Sequence, residues 1–304
     1  MSTPAIRTRE VKANGLSFML DEAGEGDSVA LCLHGFPESR ISWRRQLPML
    51  AKLGWRAVAP DLRGFGQSSR PKGVEAYRVD RLVEDVVGLF DALGAKRRLL
   101  VAHDWGGVVA WAVAAKQAVE LAGLVVMNAP HPRVYHRVYL RSWRQRTKSW
   151  YILFFQLPGL PEWVVTRNNA QALIDSFVNQ VKDKDGFEPG ALETFRANVL
   201  VPGAATAMLN YYRANLGVIR DKALDRRIEC PTLLVWGDND AFAGVELATG
   251  YEDFVREFTL AIVPGVSHWV QQEAPERVNA MMMKWMSDHG LTSETRGTSQ
   301  TQLS

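Results

Sequence analysis

The sequence predicts an α/β domain: a mostly parallel central sheet with helices on both faces, interrupted by a helical insertion that forms a lid. Three observations carry this. Short apolar runs alternate with helical patterns as far as Met127. The same alternation resumes at Thr232. Between them, residues 131–217 are helical in pattern, aromatic and basic. Repeated βαβ units make strands parallel and cover both sheet faces with helices. An inserted helical segment then lies over the carboxyl ends of the strands, where such sheets bind ligands.

The elements follow in order. Residues 16–21 read as a strand, closed by a turn at Gly24 and Gly26. Residues 29–33 are a continuous apolar run ending at His34-Gly35, the pattern of a strand buried on both faces. Residues 43–53 read as a helix and 56–60 as a strand. Asp80 is placed to cap a helix whose apolar face is Val83, Val86, Val87 and Phe90, and Gly94 ends it. Residues 99–102 form a strand, 106–115 a helix and 124–127 a strand. After Asn128-Ala129-Pro130-His131-Pro132 the pattern changes, with helix breaks at Pro158-Gly159-Leu160-Pro161 and Pro202-Gly203. Strands at 232–236 and 258–263 and a helix at 275–286 complete the pattern. Residues 1–130 and 218–290 are thus expected to form the core and 131–217 the cap. Residues 291–304, rich in Ser and Thr, are expected to be a disordered tail.

A chain of 304 residues suits one such domain with its insertion. The net charge of +3 is small, and the charges are interspersed. The densest basic stretch runs over residues 133–148, where Arg133, Arg137, Arg141 and Arg144 recur at helical spacing. That spacing predicts a solvated helix face and no nucleic-acid partner. The two cysteines, Cys32 and Cys230, sit in or beside apolar strands and read as buried free thiols. No CxxC or CxxH spacing occurs, so a structural zinc is not expected. Residues 1–10 are polar, and no apolar run reaches the ~20 residues that span a bilayer. The expectation is a cytoplasmic protein without a membrane span.

The chemistry concentrates in four segments. Leu99-Leu100-Val101-Ala102-His103-Asp104-Trp105-Gly106-Gly107 runs a buried strand into a helix through small residues flanking one functional side chain. This is the pattern of a nucleophile elbow, with Asp104 as nucleophile; a helix-capping Asp is the other reading. His34-Gly35-Phe36-Pro37 follows an earlier strand. There the N–H of Phe36, with that of Trp105, is expected to form an oxyanion hole, and His34 to shape the loop. Val235-Trp236-Gly237-Asp238-Asn239-Asp240 puts acids just past a strand end, where one can orient a histidine. Asp240 is the choice and Asp238 the alternative. Gly265-Val266-Ser267-His268-Trp269 supplies the histidine. The order nucleophile, acid, histidine is that of hydrolases built on such sheets.

With Asp61-Leu62-Arg63-Gly64-Phe65-Gly66-Gln67-Ser68 added to these motifs, the chain resembles the α/β-hydrolase-fold epoxide hydrolases along nearly its whole length, the tail excepted. Their Asp-nucleophile branch also contains haloalkane and fluoroacetate dehalogenases. The resemblance implies two lid tyrosines that hold and protonate the epoxide oxygen. Ser149-Trp150-Tyr151-Ile152-Leu153-Phe154-Phe155 is similar to the first tyrosine segment, and Leu209-Asn210-Tyr211-Tyr212-Arg213 to the second, placing the roles on Tyr151 and Tyr212. Tyr135, Tyr139 and Tyr211 stay unassigned. Trp105, Trp150, Phe155 and Trp269 are expected to line the pocket for a small hydrophobic epoxide. The implied reaction is attack by Asp104, then hydrolysis of the ester by water activated by His268 and Asp240, and it calls for no metal or organic cofactor. Haloalkane or haloacid dehalogenation is the alternative, weakened by Phe36, Trp105 and Ser149, where dehalogenases carry other residues. A non-catalytic ligand-binding module is a further alternative, weakened by the presence of every triad member.

Overall fold

The computed structural model describes residues 4–181, 187 and 190–292. The chain opens with β1 (Arg7–Ala13), β2 (Leu16–Ala23), β3 (Ser28–Leu33), α1 (Leu47–Lys52) and β4 (Arg56–Pro60), followed by α2 (Val79–Ala92), β5 (Arg97–His103), α3 (Trp105–Ala115) and β6 (Gly123–Met127). Among the described residues, the elements that follow until the sheet resumes are helical: α4 (Pro132–Arg141), α5 (Trp143–Lys148), α6 (Trp150–Phe154), α7 (Leu160–Val178), α8 (Ala191–Leu200) and α9 (Ala204–Ala214). β7 (Thr232–Gly237), β8 (Phe258–Val263), α10 (Val270–Glu273) and α11 (Pro275–Asp288) complete the chain.

One eight-stranded sheet has the order β1-β2-β4-β3-β5-β6-β7-β8. β1, β2 and β4 pair antiparallel, and every pairing from β4 through β3 to β8 is parallel. The chain steps from β3 outward to β4, then crosses back to β5 and continues the other way. The carboxyl ends of β3 and β5 therefore flank the point where the winding reverses, the crevice where such sheets place ligands. Alternate side chains of each strand feed two cores, as the two-residue strand period requires. Val29, Leu31, Leu100, Ala102 and Trp236 face the core that includes side chains of α2, α3 and the inserted helices. Ala30, Cys32, Leu99, Val101 and Val235 face the core that includes those of α1 and α11.

Several local expectations need correction. β1 was not expected; its polar residues lie on the sheet edge, where one side needs no partner strand. The helix expected over 43–53 is a 3₁₀ turn at Arg40–Trp43 followed by α1, because Pro48 has no N–H and fits only a first helical turn. Asp80 does not cap α2. Arg78 occupies that position, and Asp80 sits in the first turn, pairing with Lys116. α7 is kinked where Asn168, Asn169 and Ala170 take positive φ. The basic stretch is not one solvated face, since α4 and α5 break at Ser142. Arg133 pairs with Asp225 and Arg137 with Asp253, while Arg141 and Arg144 are exposed. Cys32 is buried, but Cys230 is only half-buried. Leu291 is buried and its carbonyl accepts the Trp55 indole N–H at 2.6 Å, so the packed chain extends past 290. The tail expected beyond it lies, from residue 293 on, outside the described residues.

Candidate active site

Asp104 sits between β5 and α3 with φ 48° and ψ −120°, a left-handed conformation that a non-glycine residue holds only under tight constraint. The surroundings supply that constraint. A Cβ on Gly106 would lie 2.3 Å from the Leu33 carbonyl oxygen, and one on Gly35 would lie 2.4 Å from Asp104 Cβ. Strand β5, helix α3 and the loop after β3 therefore meet with no room for side chains. Asp104 occupies the position before α3, but its carboxylate caps no N–H of that helix. The Phe36 N–H donates to its Oδ1 at 2.8 Å instead. The capping reading of Asp104 is thereby excluded.

The other two members converge from β7 and β8. Asp240 Oδ2 lies 2.6 Å from His268 Nδ1, and His268 Nε2 lies 3.5 Å from Asp104 Oδ2. Asp240 is buried and held by four donors. Oδ1 accepts the N–H groups of Phe242 and Ala243 at 2.7 and 2.9 Å; Oδ2 accepts Asn128 Nδ2 at 2.9 Å as well as His268. The alternative, Asp238, turns away and accepts the Gly265 N–H at 2.6 Å. Burial disfavours charge on His268, but Asp240 and Asp104 on either side outweigh it and push its pKa up to about 10. Burial would raise both carboxyls as well, yet His268 holds Asp104 and Asp240 below the usual carboxylate range.

A second buried set stands behind these residues and was not identified from the sequence. His103 Nδ1 lies 2.6 Å from Glu38 Oε2, and its Nε2 lies 2.9 Å from the His268 carbonyl. Glu38 also takes the Gly35 N–H at 3.3 Å and the side-chain amides of Gln271 and Gln272. One carboxylate thus ties together the loop after β3, the end of β5 and the backbone of His268. A histidine ending a fully buried strand was the available signal, because such a side chain requires a partner. Asn128 was also missed: only strand order places the end of β6 beside Asp240. His34 is buried as expected, with Nε2 accepting the Leu62 N–H at 3.0 Å.

Asp104 and His268 open onto a cavity of about 270 Å³. Asp104, His268, Trp105, Tyr151 and Tyr212 line it, among mostly apolar neighbours including Val108, Ile152 and Phe242. The Tyr151 and Tyr212 rings lie 5.9 Å apart, and burial, reinforced by Asp104, keeps both phenols well above their ordinary pKa. Both therefore stay protonated donors near the carboxylate. Two further pocket expectations shift by one layer. Phe155 packs on Tyr212 and Phe36 at 4.9 and 5.8 Å, and Trp269 stacks on Phe177 at 4.1 Å behind His268. Trp150 is a plain correction: it is 63% exposed and outside the cavity, because α6 turns Tyr151 and Ile152 inward and the adjacent residue outward. Tyr211, left unassigned, donates to the Arg63 carbonyl at 2.8 Å. Tyr135 lines the cavity and donates to Ser149 Oγ at 2.8 Å.

The chain matches the α/β hydrolase fold family over residues 30–275. It is 36% identical to mouse epoxide hydrolase 4, the match covering 95% of this chain and 82% of that protein. It is 37% identical to epoxide hydrolase 3 of Xenopus tropicalis, over 91% of this chain and 77% of that one. Among solved structures, an epoxide hydrolase of Bacillus megaterium in complex with an inhibitor superposes with a TM-score of 0.83. It is 28% identical, over 92% of this chain and all of that one.

Proposed function

The chain belongs to the α/β hydrolase fold family and is an epoxide hydrolase, and from that premise we propose that Asp104, His268, Asp240, Tyr151 and Tyr212 carry the reaction beneath a cap formed by residues 131–217. The observation that carries this is the placement of His268 between two carboxylates, one in the elbow and one in the turn after β7.

The two oxygens of Asp104 are not equivalent. Oδ1 is engaged by the Phe36 N–H, while Oδ2 lies on the His268 side. Oδ2 is thus the attacking atom, and Oδ1 becomes the ester carbonyl oxygen. A carboxylate held below its usual pKa is anionic at neutral pH and attacks a saturated carbon without a base. The C–O bond of the epoxide breaks as the new bond forms, and the leaving oxygen takes a proton from Tyr151 or Tyr212.

Alkylation removes the charge of Asp104, one of the two groups that raise the His268 pKa. The imidazolium then gives up its proton, replacing the one lost from the phenol, and the neutral ring becomes a base. It deprotonates a water that attacks the ester carbon. The Phe36 and Trp105 N–H groups receive the oxyanion on Oδ1; Trp105 begins α3, where an N–H has no partner within the helix. Collapse frees the diol and restores Asp104 and protonated His268, so one water is consumed and every proton is returned. The apolar lining suits small hydrophobic epoxides.

His268→Gln tests this directly. Attack by Asp104 needs no base, so the variant alkylates and then stops. Intact-protein mass spectrometry should show one substrate mass added, localised to the peptide holding Asp104. Catalytic turnover without an adduct overturns the assignment of His268.

A further inference from the structure

The lid carries an apolar stripe that faces outward. Trp143, Arg146, Trp150, Leu153 and Leu157 recur at spacings of three and four along α5, α6 and the turn that follows, so they share one side. Trp143 is 73% exposed, Trp150 and Leu153 each 63%, and Leu157 45%. The opposite side of the same helices is the one the fold uses: Gln145 and Ser149 are buried, and Ile152 lines the cavity. Large aromatic side chains standing in water in a row are unusual unless something covers them.

The surrounding charge says what that is. Residues 133–161 contain Arg133, Arg137, Arg141, Arg144, Arg146 and Lys148 and no Asp or Glu. Arg141, Arg144 and Arg146 are exposed and form no ion pair among the described residues. Arg146 donates to the Tyr139 carbonyl at 2.8 Å and to that of Leu140, fixing a positive charge within the stripe. A two-fold contact with a second copy would press these arginines against themselves. Tryptophan at the level of the headgroups, with arginines beside it, is the side-chain set of an interfacial helix.

We propose that this face of the lid docks on an anionic lipid surface. No helix among the described residues is long and apolar enough to cross a membrane, so the attachment is peripheral. Leu153 belongs to both surfaces: it lines the cavity and is mostly exposed, as is Leu216 in part, so the cavity rim adjoins the stripe. A docked lid would hold the mouth of the apolar cavity at the membrane, where hydrophobic molecules concentrate. That consequence rests on the proposed site; the docking does not.

The test is flotation of the intact protein with vesicles of phosphatidylcholine alone and with about one-third phosphatidylglycerol, at low and high salt. Wild type should bind the anionic vesicles, release in high salt, and show a blue shift of tryptophan emission. Each arginine near such a surface contributes about fivefold to partitioning, so R141Q/R144Q should bind about thirtyfold more weakly. W143Q/W150Q should bind more weakly and lose most of the blue shift. None of these four side chains lines the cavity, so turnover of a water-soluble epoxide should be unchanged in both variants, which also verifies folding. Absence of binding by wild type, equal binding to neutral vesicles, or undiminished binding by both variants overturns the proposal. So does a wild-type dimer that W143Q/W150Q converts to monomer, because a second copy would then cover the stripe.

Discussion

On the proposed mechanism, removing the Tyr151 and Tyr212 phenols should separate ring opening from everything else the site does. Tyr151→Phe and Tyr212→Phe delete one oxygen each and keep the rings. Tyr212 would retain its edge contacts with Phe36, Trp105 and Phe155 at 5.6, 5.0 and 4.9 Å, and Tyr151 its contact with Phe242 at 5.6 Å. A hydrogen bond to a charged group in a dry site is worth about 1.5–3 kcal/mol, so each single variant should slow alkylation about 10- to 150-fold. The double variant loses general-acid assistance altogether, a factor of about 10²–10⁴. Because both phenols would serve one oxygen in the proposed mechanism, the two effects should not add. The assay is single-turnover adduct formation in the His268→Gln background, where ester hydrolysis is blocked and only alkylation is read. A double variant that alkylates at the unmodified rate would show that these tyrosines merely pack the lid and would refute the reasoning.

Two further outcomes are expected. Asp104→Asn should abolish turnover and lower the His268 pKa from its native value of about 10, since one of its two carboxylate neighbours becomes neutral; titration of the labelled imidazole by NMR reads this, and an unchanged pKa contradicts the assignment. The sign for stability follows: a histidine raised on folding stabilises the native state fully below its ordinary value near 6.5, and that contribution is lost as pH rises through about 10, so in Asp104→Asn the contribution should be smaller and its loss complete at lower pH. Glu38→Gln should cost about 3 kcal/mol in urea unfolding, because its amide nitrogen would replace one carboxylate oxygen and face either the His103 and Gly35 donors on Oε2 or the Gln271 and Gln272 donors on Oε1. A cost below about 1 kcal/mol would show that this set holds nothing in place.

The sequence by itself determined what local chemistry fixes. Fully apolar runs marked the strands that carry the site, and tight small residues marked the elbow at Gly106 because a Cβ there has nowhere to go. The order of Asp104, Asp240 and His268 along the chain was legible for the same reason: each sits in the turn or loop that follows a strand. Tertiary structure alone decided which groups meet across long separations. It gave Asp240, already preferred from the sequence, and Asp238, two residues away in the same turn, different partners, aiming one at His268 and the other at the Gly265 N–H. It brought Glu38 to His103 from 65 residues away and His103 to the His268 carbonyl across 165. It also turned Trp150 outward beside an inward Tyr151. Helical periodicity says that neighbours in a helix point different ways, but which way faces the cavity depends on how the lid is set down on the sheet.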